Sequence, residues 1–260
     1  MGSIYLQKGL KMTTFLIAAL IVFVFTTVLT IAGVGAAFIL IPAFYWLGVP
    51  LKEAMAVALL LNSISMIFAA PTYIRHKLVV FKTAIPIIII AVIFSPLGAY
   101  CTQFVNRDVL LWLFNGFLIF AGTMMIFYRA KQQEKPRTAK QELGYGLGVG
   151  TLAGYLGGLL GVGGGNFIVP VLVWLGFDPK KASGTTAFIV IFSSFAGFLG
   201  HASLGHINWQ LLIYAAVGSI AGAILGAHLM QAKLKSRQVK IIIGLVLYAI
   251  AIKMIWGLVA

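Results

Sequence analysis

Laid over itself so that Gly33 falls on Gly161, the chain aligns without a gap. Gly33-Val34-Gly35 meets Gly161-Val162-Gly163, Pro42 meets Pro170, Trp46-Leu47-Gly48 meets Trp174-Leu175-Gly176, Lys52 meets Lys180 and Ala54 meets Ala182, nine identities in 22 positions. Further on in the same register, Ser65 falls on Ser193, Leu97-Gly98-Ala99 on Leu225-Gly226-Ala227, Gln103 on Gln231 and Gly116 on Gly244. Composition bias gives scattered matches, not a block of Gly, Pro and Trp in one register. Whatever residues 1–128 fold into, residues 143–260 fold into again, with a basic linker at 129–142 between them.

Each copy reads as five apolar segments: 12–32, 36–49, 53–73, 83–105 and 108–128, then 143–160, 164–177, 181–200, 210–231 and 237–258. With 61% apolar and 9% charged residues, a soluble domain could not hide this surface. The fold class expected is an all-α polytopic membrane protein of about ten helical segments. The first run follows Lys8 and Lys11 as a signal peptide would, but from Met12 to Ala32 it outruns an ordinary signal core and reads as a retained helix. The single cysteine, Cys101, excludes an internal disulfide framework.

Five segments per copy would make the two copies antiparallel, and loop charge tests this. One side then receives Arg75, Lys77, Lys82, Arg129, Lys131, Lys135, Arg137, Lys140, Lys180, Lys181, Lys233, Lys235, Arg237 and Lys240, and the other only Lys8, Lys11, Lys52 and Arg107. That 14 to 4 split obeys the positive-inside rule; if 36–49 and 164–177 changed no side it would be 10 to 8. The reading is an inverted-topology repeat in the plasma or inner membrane, linker inside and both termini outside. It also accounts for the +14 net charge without a nucleic-acid partner.

Segments 36–49 and 164–177, each about 14 residues, would span only about 21 Å as helix, short of a ~30 Å hydrocarbon core. Each copy therefore reads as a hairpin containing a short helix followed by three full spans. Whether the short segments cross or re-enter is left open, because both have the same parity.

The Gly-rich stretches are the hairpin tips: Gly33, Gly35 and Ala36 in one copy, Gly161, Gly163, Gly164, Gly165 and Asn166 in the other. The first N–H groups of a helix lack intrahelical partners and carry partial positive charge. Two such ends meeting at the midplane would hold an anion without a charged side chain. The competing reading is that the glycines only permit close helix packing. Neutral lining candidates come from the third segments: Asn62, Ser63 and Ser65, then Ser183, Thr185, Thr186, Ser193 and Ser194. Ser and Thr in a span can equally bond their own backbone or bridge helices.

The five acids, Glu53, Asp108, Glu134, Glu142 and Asp178, lie at segment ends or in loops, with Asp178-Pro179 reading as a helix start. An acidic proton relay or sodium cage thus has no residue at membrane depth, which disfavours metal-cation transport and acid-coupled symport. His228 is the one histidine inside a span and a candidate ionisable group, while Lys253 sits close enough to the C-terminal end to snorkel. His201 and His206 read as an outer loop without metal-ligand spacing, so no metal and no cofactor are expected.

The pattern G-x-G-G-G-x-x-x-x-P at Gly161 to Pro170, its degenerate copy at Gly33 to Pro42 and the stretch HASLGHINW after the third segment of the second copy resemble the sulfite exporter TauE/SafE family over essentially the whole chain. The resemblance implies a membrane transporter, in the exporter sense, for a sulfur-containing or organic anion such as sulfite or a sulfonate. Ala36 and Ala37 stand where the second copy has Gly164 and Gly165, so the tips need not contribute equally. The other function classes are a non-transporting membrane assembly or anchoring subunit and an intramembrane enzyme. The latter has no HExxH, no paired membrane aspartates and no spaced Ser-His pair to support it.

Overall fold

The computed structural model describes residues 12–46, 48–102, 104, 106–127, 139–202 and 209–259. Among the described residues there are ten helices and no strand. The first half holds α1 (Met12–Ala32), α2 (Ala37–Trp46), α3 (Leu51–Arg75), α4 (Phe81–Cys101) and α5 (Arg107–Phe127). The second holds α6 (Ala139–Leu159), α7 (Gly165–Trp174), α8 (Pro179–Ala202), α9 (Trp209–Ala232) and α10 (Ser236–Val259). Each expected segment is one helix, its ends displaced by at most four residues. Asp178 opens α8 as expected, its carboxylate accepting from the N–H groups of Lys180 at 3.0 Å and Lys181 at 3.4 Å.

Among the described residues, five stretches are long and apolar enough to cross a bilayer: Glu53–Arg75, Phe81–Cys101, Pro179–Ala202, Leu212–Ala232 and Ser236–Gly257. The chain is a multi-pass membrane protein. On α4 the division of faces is plain. Ile85, Ile89, Ile93 and Leu97 are at least half exposed, whereas Ala84, Ile87, Ala91, Ser95 and Gly98 are buried. The outer stripe faces lipid. Lipid is as apolar as leucine, so what draws the inner stripe onto its neighbours is close packing and hydrogen bonding.

That packing interlocks the halves. On α6, glycines recur every four residues, and a Cβ built on Gly146, Gly150, Gly154 or Gly158 would collide with Pro86, Ile90, Ala91 or Ser95 of α4 in that order. The two helices therefore run parallel at backbone contact. On α9, Gly218, Gly222 and Gly226 do the same against Ala19, Phe23 and Thr27 of α1. The two seams match in register. A Cβ on Gly98 would strike the Tyr155 carbonyl and one on Gly226 the Thr27 carbonyl, Gly226 being the register equivalent of Gly98 and Thr27 that of Tyr155.

Equivalent helices meet head to tail. Across α3 and α8, Leu59 lies beside Gly197, Asn62 beside Ser194 and Ser63 beside Ile191, so the lines of contact run in opposite senses. Across α5 and α10, Gly122 meets Tyr248 while Ile126 meets Gly244, again antiparallel. The hairpins follow from this frame. Gly146 near the start of α6 packs on Pro86 near the start of α4, and Thr185 of α8 accepts from the Val80 N–H just before α4 at 3.0 Å. The starts of α6 and α8 thus lie at one end of the bundle. Only four residues separate α7 from α8, so α6 and α7 leave that end and return to it. At ten residues, or about 15 Å, α7 covers half the depth.

Candidate functional site

The tips sit against the middles of α3 and α8. Gly33 and Gly161 adopt φ of +73° and +69°, and Gly35 and Gly163 both +77°. These left-handed angles reverse the chain and are strained for residues with a Cβ. Space forbids a side chain as well. A Cβ on Gly35 would overlap the Asn62 carboxamide; one on Gly163 would overlap Ser194 Oγ and fall 2.8 Å from Asn62 Nδ2. The two register-equivalent glycines therefore both pack against one amide. The next ring outward repeats this. A Cβ on Gly33 would fall 2.5 Å from Ser183 and one on Gly161 2.8 Å from Met55, partners that exchange when the halves are exchanged.

Asn62, fully buried, joins the tips. Its Oδ1 accepts from the Ala36 N–H at 2.8 Å and its Nδ2 donates to Ser194 Oγ at 2.9 Å. Ser193 Oγ donates to the Gly163 carbonyl at 3.0 Å, Ser183 Oγ to the Ala32 carbonyl at 3.0 Å, and Ser95 Oγ to the Ser193 carbonyl at 2.9 Å. The Ser183 and Ser193 bonds satisfy carbonyls at the end of α1 and in the second turn, and the Ser95 bond ties α4 to α8.

The two tips differ chemically. Gly164 caps α7 with φ +77°; its register equivalent Ala36 is not left-handed, since a Cβ penalises that angle. Ala36 gives its N–H to Asn62, but residue 190, the equivalent of Asn62, is Val190. Among the described residues, the N–H groups of Gly164, Gly165 and Asn166 have no hydrogen-bond partner. Asn166 is 1% exposed, and neither atom of its side-chain amide has a partner; Thr186, fully buried on the neighbouring α8, also leaves its hydroxyl unpaired. The second tip thus gathers buried polar groups without a hydrogen-bond partner, packed close to the Val34 and Ala153 carbonyls.

The remaining candidates fall outside this cluster. Ser65 Oγ donates to the Asn62 carbonyl at 2.9 Å within its own helix, and Ser63 Oγ to Ile191 at 2.8 Å across the halves. Thr185 fastens the α3–α4 connection through Val80 and Leu78. His228 is exposed on α9 and is not brought to the tips. His201, expected in a loop, is 1% exposed in the last turn of α8, which runs on to Ala202; its ring meets the Gly158 carbonyl at 2.8 Å. His206 lies outside the described residues. A residue the sequence reading passed over is Asn115, buried in α5 with both amide atoms unpaired. It is the only carboxamide in segment 108–128, and that was the signal. A separate cleft of about 600 Å³, lined by Phe94, Leu147, Leu152 and Tyr155 between α4 and α6, is apolar and open to the lipid side.

Comparison with known proteins agrees with this architecture. The profile described as sulfite exporter TauE/SafE matches residues 17–254. The probable membrane transporter protein YunE of Bacillus subtilis is 26% identical over 94% of this chain and 98% of its own. A second protein of that organism, the probable membrane transporter YdhB, is 25% identical over 80% of this chain and 87% of its own. The sulfite exporter TauE/SafE family protein 5 of Arabidopsis thaliana is 30% identical over 44% of this chain and 27% of its own. No solved structure matches the chain. Ten interlocked helices, glycine tips at half depth and a profile running through nearly every span lead to one assignment: the chain belongs to the sulfite exporter TauE/SafE family of membrane transporters.

Proposed function

We propose that the protein exports a small sulfur-containing or organic anion, sulfite or a sulfonate being the leading class, through a site at the second tip. The observation that carries this is the run of unpaired donors from Gly164 to Asn166 together with the unpaired Asn166 amide, all buried. A donor left unmade in an apolar interior costs roughly 1–3 kcal/mol. An oxyanion seated there would remove that cost for several groups at once, and the positive end of α7 adds to its binding. No formal charge is needed, so release needs no ion pair to be broken.

The first tip plays the other part. Asn62 already takes the Ala36 N–H there, while Gly164, the register equivalent of Ala36, has no such partner, so anion binding favours the second tip, with Asn62 and Ser194 bracing the site. The antiparallel pairing of α3 with α8 supports an inverted-topology repeat of units 1–128 and 143–260, with both termini on the non-cytoplasmic side and the basic linker inside. Acids placed only at the ends of apolar segments and in the linker suit facilitated movement over carboxylate-coupled transport.

The test is Asn166→Leu, which replaces an unpaired amide by an apolar side chain of similar size. Sulfite efflux from proteoliposomes should fall at least tenfold and stabilisation by sulfite should vanish, while the melting temperature of the free protein holds or rises. Normal efflux by this variant would overturn the site.

A further inference from the structure

A second buried amide stands apart from the tips. Asn115 is 1% exposed, and neither its oxygen nor its nitrogen has a partner. It continues the buried stripe of α5 formed by Leu118, Ala121, Gly122 and Met125, so it faces inward while Trp112 and Ile119 face out. Its register equivalent in the second half is Ile243, also fully buried, which shows that the position accepts an apolar side chain. An amide kept where isoleucine serves the same packing role in the other half needs a reason other than packing.

Depth supplies one. Asn115 is the ninth of the 21 residues of α5, about 3 Å from the midpoint of that helix. The helix α7 begins at half depth with Gly165 and Asn166, and α5 packs against α7. Counted along the helices, Asn115 and the first turn of α7 both fall near mid-depth. Two buried amides with four unpaired polar atoms thus lie near mid-depth on touching helices, one from each half.

We propose that Asn115 is a second anion contact, beside the donor cluster of α7 at the boundary between the halves, used during passage and not in the resting complex. This rests on the reading of the second tip as the anion site. An amide can hand an oxyanion from one N–H to another without a formal charge, and the pair Asn166 and Asn115 gives the anion two successive donors across the boundary between the halves.

The test uses Asn115→Leu and Asn115→Ser in the full-length protein, with radiolabelled sulfite in proteoliposomes. Asn115→Leu is expected to lower efflux at least tenfold, with an unchanged or higher melting temperature and with sulfite stabilising the protein as it does the wild type. Asn115→Ser, which keeps a donor, is expected to recover a third or more of the rate. In a Cys101→Ser background, Asn115→Cys should react with a charged, water-borne thiol reagent, and sulfite should slow that reaction. Wild-type efflux by Asn115→Leu, or equal losses of efflux and melting temperature in both variants, would overturn the role of Asn115 and leave the tip site standing. Absence of sulfite stabilisation in the wild type would overturn both.

Discussion

Tyr73 and His201 are register equivalents in the two halves, and they make the same bond. The Tyr73 hydroxyl donates to the Thr30 carbonyl at 2.9 Å, and His201 Nε2 meets the Gly158 carbonyl at 2.8 Å, Gly158 being the register equivalent of Thr30. A carbonyl only accepts, so Nε2 carries the proton. In each half the last turn of the third helix thus ties down the end of the first, just before the glycine turn.

These ties should be structural and comparable. Tyr73→Phe and His201→Phe each leave a buried carbonyl short of a donor, for an expected loss of about 1–3 kcal/mol, read as a lower melting temperature in detergent. Sulfite stabilisation should persist in both, since neither side chain belongs to the donor cluster. A variant that melted normally but no longer responded to sulfite would mean the ring acts on the site directly.

At Asn62 a charge should do what truncation does not. Asn62→Asp keeps an acceptor for the Ala36 N–H but places negative charge between the tips, and it removes the donor to Ser194. Repulsion of an incoming anion in a low-dielectric interior should cut efflux at least tenfold and abolish sulfite stabilisation. Asn62→Val, which copies Val190, should instead cost about 1–3 kcal/mol through the orphaned Ala36 N–H and leave sulfite binding at the second tip measurable. Efflux at the wild-type rate by Asn62→Asp would place the anion elsewhere.

Glycines in the tips and on the lipid face should respond oppositely to alanine. Gly163→Ala meets both a φ of +77° and the Ser194 hydroxyl, and should lose about 1–3 kcal/mol. Gly116→Ala, with nothing within 4 Å of the new Cβ, should be neutral or stabilising by up to ~1 kcal/mol. Comparing the two melting temperatures separates the tip's demand for glycine from a general intolerance of side chains.

The linker gives a check on orientation. Single cysteines placed at residues 131–140, in a Cys101→Ser background, should be shielded from an impermeant thiol reagent in intact cells and labelled after lysis. Labelling without lysis would reverse the charge-based orientation.

Much of this was legible in the sequence because it depends on periodicity and register. The ten helices follow from apolar runs, and the tips from glycines that recur at a fixed offset. The asymmetry was half visible: Ala36 against Gly164 could be read, but Asn62 as the acceptor for the Ala36 N–H could not. That role depends on α3 and α8 crossing so that Asn62 reaches both Ala36 and Ser194. Hydroxyl roles were the least legible. Ser65 and Ser193 are identical in register, yet one bonds its own helix and the other the Gly163 turn, because the local bond is always within reach of a helical serine. His201 was misplaced because the loop-like composition of its stretch says nothing of the carbonyl waiting at Gly158.

The glycine seams carry one more consequence. Each half's first helix lies against the other half's fourth, Gly218, Gly222 and Gly226 gripping α1 while α4 is gripped by Gly146 to Gly158. Severing the chain at 129–142 would therefore yield no self-sufficient fragment. Each piece would bare a backbone groove cut to fit a helix it no longer possesses, and the two would regain their shape only by being made in the same membrane and finding each other there.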